Sequence, residues 1–129
     1  MRTPLLVGLA SVLVAAPATA RAQDSLPTGV TAAMIADGKK IFDGPGLCTA
    51  CHGPGAKGIK GLGPNLADAE WLHSDGSYEA LVKQVTTGVP ANVSKSGIVM
   101  PPKGGGPLTD QQVRTVAAYI WTLSHPTAK

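Results

Sequence analysis

The chemistry in this chain is concentrated in one short string, Cys48-Thr49-Ala50-Cys51-His52, which contains both of its cysteines. Two thiols three positions apart can reach the two vinyl groups on one edge of a porphyrin and form thioethers. The next residue then lies beneath the ring, where the His52 imidazole can bind iron from the proximal side. Other uses of the pair fit less well. A disulfide between Cys48 and Cys51 would close too small a loop to add much stability. A thioredoxin-like dithiol shares the spacing but needs a βαβ context that this sequence lacks. Zinc would need a second ligand pair, and no further cysteines exist. The spacing points to one haem c attached through Cys48 and Cys51.

Such attachment in bacteria is expected outside the cytoplasm, and the start of the chain agrees. Met1-Arg2 is followed by an uncharged apolar run, Leu5 to Ala16, and then by small residues at Ala18, Ala20 and Ala22. This is the layout of a secretory signal peptide cleaved after Ala22, or alternatively after Ala20. The run is short for a membrane span, which needs about 20 residues. The expectation is a periplasmic protein without stable membrane insertion once residues 1–22 are removed. A flexible lead-in over 23–30, one domain over 31–125 and a short tail over 126–129 complete the organisation.

Beyond position 22 the chain holds 9 Lys plus Arg against 8 Asp plus Glu, with no basic stretch and no aromatic platform, so nucleic acid is not expected as a partner. The same region has 15 glycines, 9 prolines and only five aromatic residues. A chain so rich in turn residues and so poor in bulky ones builds a thin core. A large apolar cofactor would supply the missing interior.

Three elements must then position the site. Thr31 to Phe42 has helical composition, with Gly38 and Phe42 four apart on one face, and Gly44-Pro45-Gly46 ends it. A second helix is expected from about Ser77 to Thr87, since Tyr78, Leu81, Val82 and Val85 follow helical spacing and Gly88 stops it. In the third, Thr109 and Gln112 make a capping box, Asp110 complements the helix dipole, and Val113, Val116, Ala117, Ile120 and Leu123 form a buried stripe. His125-Pro126 should end it. Cys48 to Asn65 and Val89 to Pro107 read as loops, and no strand pattern of useful length exists. The class is all-α.

With these motifs in this order, the chain resembles the class I cytochromes c, specifically the small bacterial monohaem type. The resemblance runs from about Thr31 to Leu123. It rests on the Cys48-to-His52 string, Gly63-Pro64-Asn65-Leu66, Met100-Pro101-Pro102 and the terminal helix with Tyr119. It implies three to five helices with long loops wrapped around one covalently bound haem. It also implies that Gly38 and Phe42 mark where the first helix crosses the last near Tyr119. By the same resemblance the Pro64 carbonyl accepts the proximal imidazole N–H.

The sixth ligand is argued separately. Met100 follows His52 by 48 positions, sits in a proline-stiffened loop and precedes the last helix, as the family's ligand does. A thioether stabilises reduced iron and raises the potential. Met34 reads instead as a core residue, and His73 and His125 as surface histidines, with His73 the second choice for the sixth position. Trp71 could donate to a haem propionate or simply cover the haem. Lys57, Lys60, Lys95 and Lys103 fall in the loops expected to flank the haem edge, as a docking collar or as ordinary solvated lysines.

Six-coordinate His/Met iron leaves no open position, so the expected role is a single-electron carrier rather than an enzyme. Its electrons would come from a periplasmic dehydrogenase or oxidoreductase, of which it could be a subunit or dedicated partner. They would pass to a terminal oxidase or reductase. A peroxidase-like haem enzyme would need placed acid and base groups beside an open site, and the sequence around Met100 offers Val99, prolines and glycines instead.

Overall fold

A computed structural model of the chain describes residues 25–126 and residue 128. The expected signal peptide therefore lies outside the described residues. Among them are four α-helices: α1 (Ala32–Asp43), α2 (Cys48–His52), α3 (Tyr78–Thr87) and α4 (Asp110–Leu123). No strand forms there. Two isolated bridges pair Ile59 with Gly63 and Val89 with Met100. The all-α class holds.

Local signals explain why three of these helices begin where they do. The hydroxyls of Thr31, Ser77 and Thr109 each accept a backbone N–H from three residues on, satisfying donors that a helix start leaves unpaired. In α4 the cap is reciprocal: the Gln112 side chain accepts from the Thr109 N–H at 2.9 Å. The helix stops at Leu123, two residues before the expected His125. The His125 ring turns back to stack on Trp121, with centroids 3.9 Å apart, and its Nδ1–H donates to the Trp121 carbonyl.

Helices α1 and α4 make the principal crossing. Gly38 is what allows it, because a Cβ there would lie 2.2 Å from the Thr115 carbonyl oxygen and 2.8 Å from the Tyr119 Cβ. One turn on, Phe42 is fully buried with its ring edge-on to Tyr119 at 5.5 Å. Val113 and Val116 are also fully buried. Each such side chain contributes about 1.5–3 kcal/mol by leaving water. The exposed pairs Lys39–Asp43 and Lys40–Asp37 on the outer face of α1 add little, because water and salt screen them. Packing decides this crossing. Helix α3 joins through Tyr78, Leu81 and Val85, and the Tyr78 hydroxyl donates to the Arg114 carbonyl in α4.

The flanking segments are less loose than their composition suggests. Val30 is buried in the core behind a Pro27–Val30 turn, so the lead-in is packed at its end. In the tail, the Ala128 N–H donates to the His125 carbonyl.

Candidate cofactor site

The loop expected over Cys48–Asn65 begins with a helical turn. Leu47, at φ 56°, swings the chain out of the turn that follows α1, and α2 starts immediately after it. The Thr49 hydroxyl donates to the Phe42 carbonyl at 3.1 Å and ties α2 to the end of α1. Within α2, Cys48 lies three residues before Cys51 and four before His52, so all three project to one side. They line a single cleft.

Cys48 and Cys51 form no disulfide. Cys48 is buried, and burial pushes its thiol up to about 11, so it sits in the wall as a neutral group. His52 is buried as well, and its Nδ1–H donates to the Pro64 carbonyl at 2.9 Å. Burial lowers the pKa of the ring, and this outweighs the Pro64 bond, which raises it. The imidazole is therefore neutral with Nδ1 protonated, which leaves the Nε2 lone pair as the one able to bind a metal. Pro64 is brought under the ring by backbone bonds that fold residues 53–66 back on α2: Gly58 N–H to the His52 carbonyl, and Leu66 N–H to the Ala56 carbonyl.

Met100 reaches the same cleft from the far end of α3. That helix closes at Gly88, where φ is +68° and a Cβ would lie 2.2 Å from the Met100 carbonyl oxygen; only glycine lets the two segments approach this closely. Val89 and Met100 then exchange two backbone hydrogen bonds, at 2.8 and 2.9 Å. The cleft is open to one side, with Leu62, Ile98 and Val99 among its walls. A second, smaller recess shares Cys48, His52, Gln84 and Met100 and is backed by Phe42 and Leu81.

Three residues stand differently from the sequence expectation. His73 is half-buried: it lines the cleft wall, and its Nε2 accepts the Lys95 backbone N–H at 3.2 Å. Sequence proximity to Trp71-Leu72 hid this, because the 22-residue separation from Lys95 is closed only by the fold. Lys103 is not a free collar lysine, since its ammonium is engaged by Leu108 and Asp110. Gln84 had not been singled out. It faces both recesses, and its Oε1 is the one buried side-chain polar atom without a hydrogen-bond partner among the described residues. Such an atom costs about 1–3 kcal/mol unless something in the cleft meets it. A polar residue between Leu81 and Val85 on the helix was the available signal. Trp71 lies along the second recess with its indole nitrogen packed against Gly76. Met34 packs against the core, as expected.

Two thiols at one side, a neutral imidazole, a thioether on the same cleft, mainly apolar walls and an unmatched amide fit a flat apolar macrocycle that carries iron. Comparison with known proteins agrees. Residues 33–120 match the family model described as cytochrome c oxidase, cbb3-type, subunit III. The chain is 36% identical over 90 residues to the cbb3-type cytochrome c oxidase subunit CcoP of Rubrivivax gelatinosus, covering 70% of this chain and 26% of that protein. It is 38% identical over 91 residues to subunit FixP of Bradyrhizobium sp. (strain ORS 278), covering 69% of this chain and 30% of that one. The chain thus spans only about a quarter to a third of the length of these relatives. It is also 34% identical over 98 residues to the cytochrome c6 of Thermosynechococcus vestitus, covering 74% of this chain and 76% of that protein. No solved structure matches.

Proposed function

The chain belongs to the family of cytochrome c domains described as cytochrome c oxidase, cbb3-type, subunit III, and from that premise we propose that it is a periplasmic single-electron carrier with one haem c, held through Cys48 and Cys51 and ligated by His52 and Met100. Membership by itself implies haem c and haem-based electron transfer. The finer reading is carried by one observation: Cys48, Cys51, His52 and Met100 converge on a single, mainly apolar cleft.

The bound haem would supply a one-electron iron couple. The chain's own residues do the rest. Pro64 holds the imidazole in one tautomer and raises its basicity, while Met100 offers a soft donor that favours the reduced ion. Leu62, Ile98 and Val99 limit water at the site, so that little reorganisation accompanies a change of charge. Held by both His52 and Met100, the iron would offer no open position to a substrate. Its role is therefore electron transfer and not catalysis, whether it works alone or as a subunit or dedicated partner of an oxidoreductase.

A dehydrogenase or other oxidoreductase as donor and a terminal oxidase or reductase as acceptor complete the proposal. The oxidase is favoured because the relatives carry that name. Residues 1–22 serve as the cleaved export signal, leaving residues 31–125 as the haem domain. No helix among the described residues is long and apolar enough to cross a membrane.

Met100→Ala tests the reading most directly. The potential should fall, the near-infrared band of methionine-bound ferric iron should vanish, and exogenous ligands should bind. An unchanged potential puts the sixth ligand elsewhere. Covalent attachment predicts that the pigment stays with the protein in acidic acetone. Rapid carbon monoxide binding to the reduced wild-type protein would favour a haem enzyme instead.

A further inference from the structure

The turn that follows Met100 is built largely from left-handed backbone. Lys103, Gly104 and Gly105 take φ values of 56°, 69° and 80°, three left-handed residues in succession, two of them glycines. Upstream, Met100 is fixed by its bridge to Val89. Downstream, the one side chain among the described residues that ties this turn to a helix is Lys103. Its ammonium donates to the Leu108 carbonyl at 3.0 Å and to Asp110 Oδ1 at 2.8 Å; the lysine side chain is 30% exposed and that of Asp110 90%, so the bond to Leu108 carries more of the hold. Leu108 is itself buried, and Asp110 opens α4, the helix packed across α1. The lysine therefore spans from a glycine-rich, left-handed turn of the cleft to the first residue of a helix packed in the core. Lys103 is also a non-glycine residue at φ 56°, an uncommon conformation for an L side chain.

We infer that Lys103 is a positioning residue for the sixth ligand: through Leu108 and Asp110 it latches the Pro101–Gly105 turn to the start of α4 and so governs how often Met100 leaves the iron. The inference rests on Met100 being that ligand. The latch acts on release rather than on folding. It bridges residues only five and seven positions apart and lies outside the α1–α4 crossing, so breaking it should open the turn locally.

The test uses the ferric holoprotein and imidazole as the incoming ligand. At saturating imidazole the rate of displacement reports the opening of the methionine turn. Lys103→Asn retains a residue that tolerates left-handed backbone but cannot span to Leu108 and Asp110. It should raise that limiting rate by about three- to tenfold, the range expected for losing one partly exposed, charge-assisted hydrogen-bond pair. The urea midpoint of global unfolding should stay where it is. Lys103→Arg, which keeps the charge and the reach, should restore a rate near wild type. If Lys103→Asn yields little holoprotein, Asp110→Asn gives the second measurement, with a smaller rise in the same direction. A limiting rate unchanged in both variants overturns the latch, and so does a rise matched by an equal loss of global stability. Failure of the underlying reading looks different: the wild-type protein would then lack the methionine–iron band from the start.

Discussion

The α1–α4 crossing and the cofactor cleft lie on opposite sides of Phe42 and are built on different principles. At the crossing, the chain is complete in itself. Gly38 meets the Thr115 carbonyl, Phe42 meets Tyr119, and Val113 and Val116 are fully buried. Around the cleft, by contrast, Leu47, Leu62, Ile98 and Val99 are 36–53% exposed, and no other part of the chain among the described residues covers them. The segments there are joined by single bridges and left-handed turns. One side is ordered by side-chain packing. The other has the apolar surface of a core without the opposing half, as a chain that folds around a large flat group should. Phe42 belongs to both sides, since it packs on Tyr119 and backs the recess beside His52.

The largest test asks whether the crossing can hold the fold without the tether. In Cys48→Ser with Cys51→Ser the covalent anchor is gone. The remaining packing must then carry a domain whose total stability is on the order of only 5–15 kcal/mol. The expected result is loss of a cooperative urea transition, with residues 88–107 exchanging their amide hydrogens freely. A cooperative transition close to that of the tethered protein would break the comparison, because the crossing would then suffice alone.

A smaller effect isolates the crossing. Gly38→Ala gains about 1 kcal/mol of helix propensity. The added Cβ meets a backbone oxygen at 2.2 Å, however, and no rotamer change can relieve that overlap. Forcing the helices apart costs roughly 1–3 kcal/mol or more, so the urea midpoint should fall despite the better helix former. The reduction potential should barely move, since the cleft residues are untouched. A shifted potential would mean that the two sides are mechanically coupled through Phe42.

The two sides also differed in how far the sequence revealed them. The crossing was legible because its signals are local: the caps at Thr31, Ser77 and Thr109, the i, i+3, i+4 stripes, and the Gly38–Phe42 spacing. At the cleft, the Cys48–His52 string was legible for the same reason. Helix α2 was not, since five residues carry no measurable period and its start depends on the left-handed turn at Leu47. The Val89–Met100 bridge, the turn of His73 onto Lys95 and the unmatched Gln84 amide depend on contacts between distant segments. Lys103 misled for a simpler reason. Its position in a cleft loop was correct, but its ammonium points back to α4.

The smallest expected effect concerns the rim. With Lys103 committed to Asp110, the collar reduces to Lys57, Lys60 and Lys95, all exposed and none in an ion pair among the described residues. Three charges on one rim steer an acidic partner mainly through the encounter rate, and salt screens that attraction over about 10 Å at 0.1 M. Replacing Lys57 and Lys60 with Gln should therefore slow electron transfer to the partner a few-fold at low salt and have almost no effect at high salt. The cleft and the potential should remain as they were. If the wild-type rate is flat across ionic strength, the rim lysines are merely solvated. Partner choice would then rest on the exposed apolar side chains Leu62, Ile98 and Val99, which would give the unfinished side of the molecule a second use.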